Sequence, residues 1–180
     1  ALIIGVEGYA LTADETALLR ETNPLGLFLF RRNIDTAEQV RKLCAQIRET
    51  LGRADAPIFI DQEGGRVVRI GPPALALPPM RRLGDLGDLA ILERVADAQA
   101  RELAAMGITM SFAPVVDVHT RPENPIIGDR AFGGTPEDVA RRAGAWAKGL
   151  SSHVLTCAKH FPGHGDTAVD SHLALPRVER

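Results

Sequence analysis

Residues 159–176, which read KHFPGHGDTAVDSHLALP, form a dense group of side chains that can transfer protons or bind polar ligands. The stretch shows neither helical nor strand periodicity, and a loop of this length without secondary structure of its own is usually functional or disordered. Because the apolar, strand-like run 154–158 leads into it, we expect an ordered active-site loop at the end of a strand. Its titratable side chains are Lys159, His160, His164, Asp166, Asp170 and His172.

Asp170 and His172, two positions apart, form a candidate acid/base pair. Imidazole has an ordinary pKa of about 6.5, so it donates and accepts protons near neutrality. A neighbouring carboxylate can fix the tautomer of the ring and stabilise the imidazolium. In an isolated D-x-H pattern the same side chains more often form a hydrogen bond that only stabilises the loop. The residues by themselves leave both interpretations open.

The histidines and aspartates of this stretch are also possible metal ligands. However, Pro162 and Gly163 interrupt the spacing between His160 and His164, so these histidines cannot share a helix face as they do in H-E-x-x-H sites. His164, together with Asp166, is therefore expected to hold the shape of the loop. The sequence favours chemistry without a metal or another cofactor, and a metal-dependent hydrolase is an alternative.

Strand-length apolar runs alternate with amphipathic helical patterns along the chain. We expect strands at residues 2–6, 26–30, 57–61, 108–118 and 154–158. The four helices are expected from the Thr12–Glu15 capping box to Pro24, from a cap at Asp35 or Thr36 to Gly52, from Leu86 to Gly107, and from Thr135 to Leu150. This alternation predicts a parallel α/β domain.

Polar side chains follow the third, fourth and fifth predicted strands at their carboxyl ends, where both barrels and doubly wound sheets place their sites. They are Asp61, then the group Asp117, His119, Asp129 and Arg130, and then the 159–176 loop. No strand is followed by G-x-G-x-x-G or by a phosphate-binding loop. A barrel is therefore favoured over a nucleotide-binding sheet.

The amino-acid composition and net charge indicate which kinds of binding partner to expect. The chain has 180 residues, of which 45% are hydrophobic and 24% charged, and its formal net charge is −2. We therefore expect one globular core, no nucleic-acid partner and no membrane partner. The chain has two cysteines, Cys44 and Cys157, which are too few for a disulfide framework and fit a reducing compartment. We expect a cytoplasmic protein that acts on a small or neutral molecule.

Four motifs together resemble those of glycoside hydrolase family 3, in its bacterial β-N-acetylglucosaminidase branch. They are DQEGGRV, SFAPVVDV, IGDRAFG and the 159–176 loop, in that order along the chain. The resemblance implies a TIM-type (β/α) barrel and the release of terminal β-linked N-acetylglucosamine from carbohydrate substrates. It also implies that the substrate is a 1,6-anhydro-muropeptide in cell-wall recycling.

The resemblance also implies roles for individual residues. His172 matches the general acid/base of the family, and Asp170 matches its partner. The residues that match sugar-binding positions are Asp61, Arg69, Arg130, Lys159 and His160. Glu63 is expected to brace the glycine turn that follows Asp61, and glycines 163 and 165 are expected to let the loop swing over a bound sugar.

The resemblance places the nucleophilic aspartate beyond residue 180. Five strand–helix units in 180 residues imply about 290 residues for the eight units of a whole barrel. We therefore expect residues 1–180 to be the N-terminal part of a single barrel catalytic domain, with about five of its eight units. A non-catalytic sugar-binding module is the second alternative.

Overall fold

The computed structural model describes residues 2–177. Its centre is a sheet of five strands in the order in which they occur along the chain, and every neighbouring pair is parallel. The strands are β1 (Ile3–Ile4), β2 (Gly26–Leu29), β3 (Ile58–Ile60), β4 (Met110–Ser111) and β5 (Leu155–Thr156). Successive parallel strands joined by helices form the wall of a (β/α) barrel. The sheet is not closed within the described residues, and the predicted α/β class and parallel order are confirmed.

Within residues 2–177, five α-helices connect the strands, one more than the sequence predicts. They are α1 (Ala13–Thr22), α2 (Ala37–Leu51), α3 (Met80–Asp85), α4 (Leu89–Ala105) and α5 (Pro136–Leu150). No helix among residues 2–177 is long and apolar enough to cross a membrane.

The helix ends follow local sequence signals. Thr12 and Glu15 form the predicted capping box of α1. Thr36, rather than Asp35, caps α2 by accepting a hydrogen bond from the backbone of Gln39. Gly52 ends α2 with a φ of 61°, which is readily adopted only by a residue without a Cβ atom. These boundaries depend on contacts within one or two turns, which is why the sequence alone predicts them.

The predicted helix from Leu86 to Gly107 is wrong in its first turn. Leu86 ends α3 and is 60% exposed, and Gly87 has a φ of 74° that breaks the helical path. Asp88 then caps α4 through hydrogen bonds from the backbone of Ala90 and Ile91. The glycine and the aspartate therefore separate two helices that share one apolar pattern.

All five strands are shorter than predicted, and the first, fourth and fifth fall short by the most residues. The prediction of a strand over 108–118 is wrong beyond Ser111, because Pro114 has no N–H with which to continue the pairing. Pairing resumes as an isolated parallel bridge between Val115 and Lys159. This bridge fixes the start of the 159–176 loop against the segment that carries Asp117.

The core lies between the sheet and the helices. The inner strands β2 and β3 contribute fully buried apolar side chains, and α5 contributes Trp146. Cys44 lies on the apolar face of α2 and is buried, and burial raises the pKa of its thiol to about 11. Helices α4 and α5 pack so closely that a Cβ on Gly149 would lie 2.1 Å from the carbonyl oxygen of Glu93. This rigid wall holds the strand ends in register.

Candidate active site

Lys159 joins the carboxyl ends of β3 and β5. Its ammonium nitrogen lies 2.8 Å from Asp61 Oδ1 and 2.5 Å from Glu63 Oε1. Its side chain is only 13% exposed. Arg69 approaches the other carboxylate oxygen of Asp61, with Nη2 3.2 Å from Oδ2. The two cations therefore hold the carboxylate of Asp61 from both sides.

Glu63 and Arg130 form a buried bidentate pair. Arg130 donates from Nε to Glu63 Oε2 at 2.9 Å and from Nη2 to Oε1 at 2.8 Å. Its Nη1 donates to the carbonyl of Ile126 at 3.0 Å. Burial disfavours the charged guanidinium, but the carboxylate of Glu63 outweighs this effect, so the pKa of Arg130 lies above its ordinary value. Arg130 is thus a fixed cation whose direction is set by Glu63.

Asp117 contacts both the ring of His160 and the backbone of His164. Asp117 Oδ2 lies 2.6 Å from His160 Nδ1, and Asp117 Oδ1 accepts a hydrogen bond of 2.6 Å from the backbone N–H of His164. Burial alone would raise the pKa of this carboxyl, but the hydrogen bonds from His160 and His164 lower it below its usual range. His160 Nε2, on the other side of the ring, is 3.5 Å from Arg130 Nη2.

These contacts form one continuous chain, which we call the polar cluster. In order of contact it runs Arg69, Asp61, Lys159, Glu63, Arg130, His160 and Asp117. It contains three carboxylates and three permanent cations, so its formal charge is zero when His160 is neutral. All five residues that the sequence predicts to bind sugar lie in it.

Asp170 and His172 form a separate pair on the 159–176 loop. Asp170 Oδ1 is 2.7 Å from His172 Nδ1 and accepts a hydrogen bond of 2.8 Å from the His172 backbone N–H. The hydrogen bonds from the backbone and ring of His172 lower the pKa of Asp170. The His172 side chain is 81% exposed. With Nδ1 held by the carboxylate, Nε2 is the ring atom left to exchange a proton with a ligand.

Between the polar cluster and the Asp170–His172 pair, hydrogen-bond contacts of His164 hold the 159–176 loop in place. His164 Nδ1 lies 2.5 Å from Thr167 Oγ1, and His164 Nε2 lies 3.1 Å from Ser171 Oγ. Asn124 Nδ2 donates to the carbonyl of His164 at 2.6 Å. The predicted role of His164 in holding the shape of the loop is therefore seen in its contacts.

Gly165 lies against the backbone of Val118. A Cβ at this position would be 1.9 Å from the Val118 carbonyl oxygen. In this conformation the absence of a side chain at Gly165 permits close packing, and the expectation that the glycine lets the loop swing stays a prediction. Gly163 has a φ of 129° and open space around it. The two glycines thus serve different purposes.

No hydrogen bond or ion pair in residues 2–177 joins Asp170 or His172 directly to the polar cluster. The link runs from Ser171 through the ring of His164 to the His164 backbone N–H, which donates to Asp117. The structure therefore brings together the predicted binding residues, and it places the predicted acid/base pair beside them on a tethered loop.

Sequence reasoning missed the functions of two acidic residues in the polar cluster. Glu63 was expected to brace its own turn, but its backbone N–H, which donates to the carbonyl of Val67, closes that turn, and the carboxylate holds Arg130 and Lys159 instead. Asp117 was recognised only as a polar residue after a strand. Its position at the carboxyl end of β4 was the available signal, but its partners lie 43 and 47 residues away.

The contacts of the histidines bear on the metal alternative. Within the described part of the chain, no group of three or more His, Cys, Asp or Glu side chains is arranged to hold a metal ion. Both ring nitrogens of His164 contact hydroxyl groups of Thr167 and Ser171.

Comparison with known proteins shows the family to which the chain belongs. The glycosyl hydrolase family 3 N-terminal domain matches residues 3–180. A beta-hexosaminidase of Pseudomonas aeruginosa is 41% identical over 183 residues, which cover 100% of this chain and 54% of the relative. The chain spans about half the length of the curated relatives it matches.

Solved structures agree in fold. A glycoside hydrolase family 3 beta-N-acetylglucosaminidase from Paenibacillus sp. has a TM-score of 0.93 and 39% identity, covering 98% of this chain and 34% of that one. NagZ from Neisseria gonorrhoeae in complex with N-trifluoroacetyl-D-glucosamine has a TM-score of 0.92 and 38% identity, covering 99% of this chain and 55% of that one. With its matching domain, its parallel barrel wall and its site at the strand ends, the chain belongs to glycosyl hydrolase family 3.

Proposed function

We propose that this protein is an exo-acting, retaining β-N-acetylglucosaminidase that works without a cofactor in the cytoplasm. Its substrate would be a glycan with a terminal β-linked N-acetylglucosamine, specifically a 1,6-anhydro-muropeptide released during cell-wall recycling. Residues 1–180 would form the N-terminal part of its barrel catalytic domain. The observation that carries the proposal is the polar cluster at the strand ends, beside a loop that bears a hydrogen-bonded Asp170–His172 pair.

The polar cluster suits a neutral sugar with many hydroxyl groups. Each hydroxyl both donates and accepts hydrogen bonds, so a site of alternating cations and carboxylates can bind several of them. Lys159 has three N–H donors, and Asp61 and Glu63 take two of them. The third donor would bind a sugar oxygen. Asp61 would accept from a sugar hydroxyl, and Arg69 would support that carboxylate.

Arg130 would contribute mainly through its charge and through His160. Glu63 binds its Nε and Nη2 atoms, and the carbonyl of Ile126 binds Nη1. Of the two N–H groups that remain, the one on Nη2 is the donor that faces His160 Nε2, at 3.5 Å. A sugar oxygen that enters between these two side chains would meet one donor and one acceptor. Arg130 and His160 would therefore act as a unit.

His172 would serve as the general acid and then the general base. In the first step the protonated imidazole donates its Nε2 proton to the glycosidic oxygen while the bond from that oxygen to the anomeric carbon breaks. In the second step the neutral imidazole takes a proton from the water that attacks the anomeric carbon and displaces the carboxylate nucleophile that became bound there in the first step. Asp170, held at Nδ1, would stabilise the imidazolium and fix the tautomer between the two steps.

A retaining mechanism also requires a carboxylate nucleophile. Asp61, Glu63 and Asp117 do not suit this role, because each of them is engaged by cations or by hydrogen-bond donors. Their negative charges are already stabilised, which makes them poor nucleophiles. Residues 1–180 would therefore bind the sugar and transfer the proton.

The test uses aryl N-acetyl-β-glucosaminides whose leaving groups span a range of pKa values. His172→Ala should lose most activity on substrates with poor leaving groups and keep far more on activated phenols, which leave with little help from an acid. Asp170→Asn should show the same trend more weakly, because the amide still contacts the ring but cannot stabilise the imidazolium. Melting temperatures of both variants serve as the control for folding.

A loss of rate that is independent of the leaving group, together with a melting temperature lowered by several degrees, would assign Asp170 and His172 a structural role only. Binding of N-acetylglucosamine without any turnover would support the sugar-binding alternative.

A further inference from the structure

Asp117 contacts both the polar cluster and the 159–176 loop. Its side chain is completely buried, and each of its carboxylate oxygens has a different partner. Oδ2 meets the ring of His160 in the polar cluster, and Oδ1 accepts the backbone N–H of His164 in the 159–176 loop. Both distances are 2.6 Å, which is short for hydrogen bonds to nitrogen and typical of a charged acceptor.

We propose that Asp117 is a positioning residue that fixes His160 with its proton on Nδ1, so that Nε2 presents a lone pair to the sugar, and that ties the loop bearing the acid/base pair to this same ring. This inference rests on the proposed function, because it assigns His160 the part of a hydrogen-bond acceptor for substrate. It adds a residue that itself touches no substrate.

The surroundings of His160 select this tautomer. A carboxylate accepts but cannot donate, so the contact with Asp117 requires a proton on Nδ1. On the opposite side, Arg130 Nη2 points its N–H toward Nε2 at 3.5 Å, and a proton on Nε2 would face that cation. Glu63 holds Arg130 in this direction through two hydrogen bonds. A carboxylate on one side and a guanidinium on the other therefore favour the same tautomer.

An asparagine could not replace Asp117 in both contacts. The backbone N–H of His164 needs an acceptor, and the proton on His160 Nδ1 needs a second one. An amide offers one oxygen and one NH2 group. If its oxygen stays with His164, its NH2 group faces Nδ1, and His160 must move its proton to Nε2. The substitution would then reverse the hydrogen-bonding polarity of the atom that faces the sugar.

The experiment measures the tautomer of His160 directly by 15N NMR of histidine-labelled protein. In the wild-type protein the proton of neutral His160 should be on Nδ1, and in Asp117→Asn it should shift to Nε2. Titration with N-acetylglucosamine should show an affinity about tenfold lower for Asp117→Asn, as for the loss of one hydrogen bond to the sugar. In a His160→Ala background the same substitution should change the affinity less than about twofold.

Asn124→Ala is the matched control for the loop. Asn124 holds the carbonyl of His164, the same residue that Asp117 holds by its N–H, but it does not contact His160. This variant should loosen the loop and leave the tautomer of His160 unchanged. A tautomer change in Asn124→Ala as large as in Asp117→Asn would show that loop anchoring, and not the carboxylate, controls the ring.

Two results overturn the inference. One is a wild-type spectrum in which neutral His160 carries its proton on Nε2, and this result does not depend on any variant being folded. The other is an equal loss of affinity for Asp117→Asn with and without His160. If the wild-type protein binds no N-acetylglucosamine, the proposed function fails, and the NMR comparison still decides whether Asp117 sets the tautomer.

Discussion

Glu63 and Arg130 are 67 residues apart in sequence and meet as a bidentate pair beneath the carboxyl ends of the strands. Their side chains are 1% and 11% exposed. Glu63 also contacts Lys159, which it shares with Asp61, so two carboxylates balance the two cations that face the proposed sugar site. Removing the charge of Glu63 would leave Arg130 without its carboxylate partner in a poorly solvated position.

Glu63→Gln is therefore expected to destabilise the protein by about 3 kcal/mol, because it breaks the buried pair with Arg130 from one side, whereas Lys159 keeps its contact with Asp61. Urea denaturation measures the loss. Glu38→Gln is the matched control, since Glu38 forms ion pairs on the exposed surface of α2 and its loss should cost less than about 0.5 kcal/mol. Equal effects of the two substitutions would contradict the importance assigned to the buried pair.

Lys159→Ala is expected to weaken binding of N-acetylglucosamine by about 1.5 to 3 kcal/mol, which is the contribution of a charge-assisted hydrogen bond in a water-poor site. Arg130→Ala should have a similar effect through the loss of its charge and of its contact with His160. Isothermal titration calorimetry gives the affinities. Lys148→Ala, at an exposed ion pair with Glu93 on the outer helices, should leave them unchanged. Unaltered affinity in both site variants would rule out the polar cluster as the sugar site.

The pH dependence of stability should report on Asp117. Its pKa is lower in the folded protein than in the unfolded chain, so the unfolded chain binds more protons as the pH falls past about 4. The stabilisation is fully present above that pH and is lost as the pH falls through the lowered pKa. Asp117→Asn should therefore be less stable than wild type at about pH 7, and the difference should shrink toward about pH 3.

Denaturation curves recorded between about pH 3 and pH 7 test this expectation. Asp55→Asn removes one charge from an exposed loop and serves as the control for a general change in net charge. A difference between Asp117→Asn and wild type that stays constant over this range would mean that the charge on Asp117 contributes nothing to stability.

Gly165→Ala and Gly144→Ala should change stability in opposite directions. At Gly165 the new methyl group would lie 1.9 Å from the Val118 carbonyl oxygen, so the loop must move, at a cost of about 1 to 3 kcal/mol. Gly144 lies in α5 with open space where a Cβ would stand, and alanine there should add about 0.5 to 1 kcal/mol of helix stability. Thermal denaturation of both variants decides the matter, and a stabilising Gly165→Ala would contradict the close packing.

Local signals in the sequence predicted much of the fold. The capping box at Thr12 and the glycine stop at Gly52 act within one or two helical turns, so the residues that form them are neighbours in the chain. The same limit explains the failure at Leu86, where an apolar pattern continues across Gly87 although the helix does not. Periodicity reports which face is apolar, and it does not report a break in the backbone.

The sequence indicated which residues lie in the candidate site, but it did not indicate which contacts they make with one another. The ends of parallel strands must lie side by side, so Asp61 and Lys159 were expected together before their contact was seen. The partners of Glu63 and Asp117 depend on the exact direction of side chains that approach from distant segments, and no local pattern encodes that direction. Gly165 illustrates a second limit, because a glycine that permits motion and a glycine that permits close packing look alike in sequence.

The charge balance of the polar cluster has a consequence for how a ligand would arrive. Asp61 and Glu63 contact the three cations, and Asp117 supplies the third negative charge across the ring of His160, so little of the cluster's field remains beyond the screening length of about 8 Å in physiological salt. Such a site exerts almost no attraction or repulsion on an approaching molecule, whatever charge that molecule carries on its distant parts. The polar cluster itself would therefore steer neither neutral nor ionised ligands toward the strand ends, and its selection among them would take place only after contact.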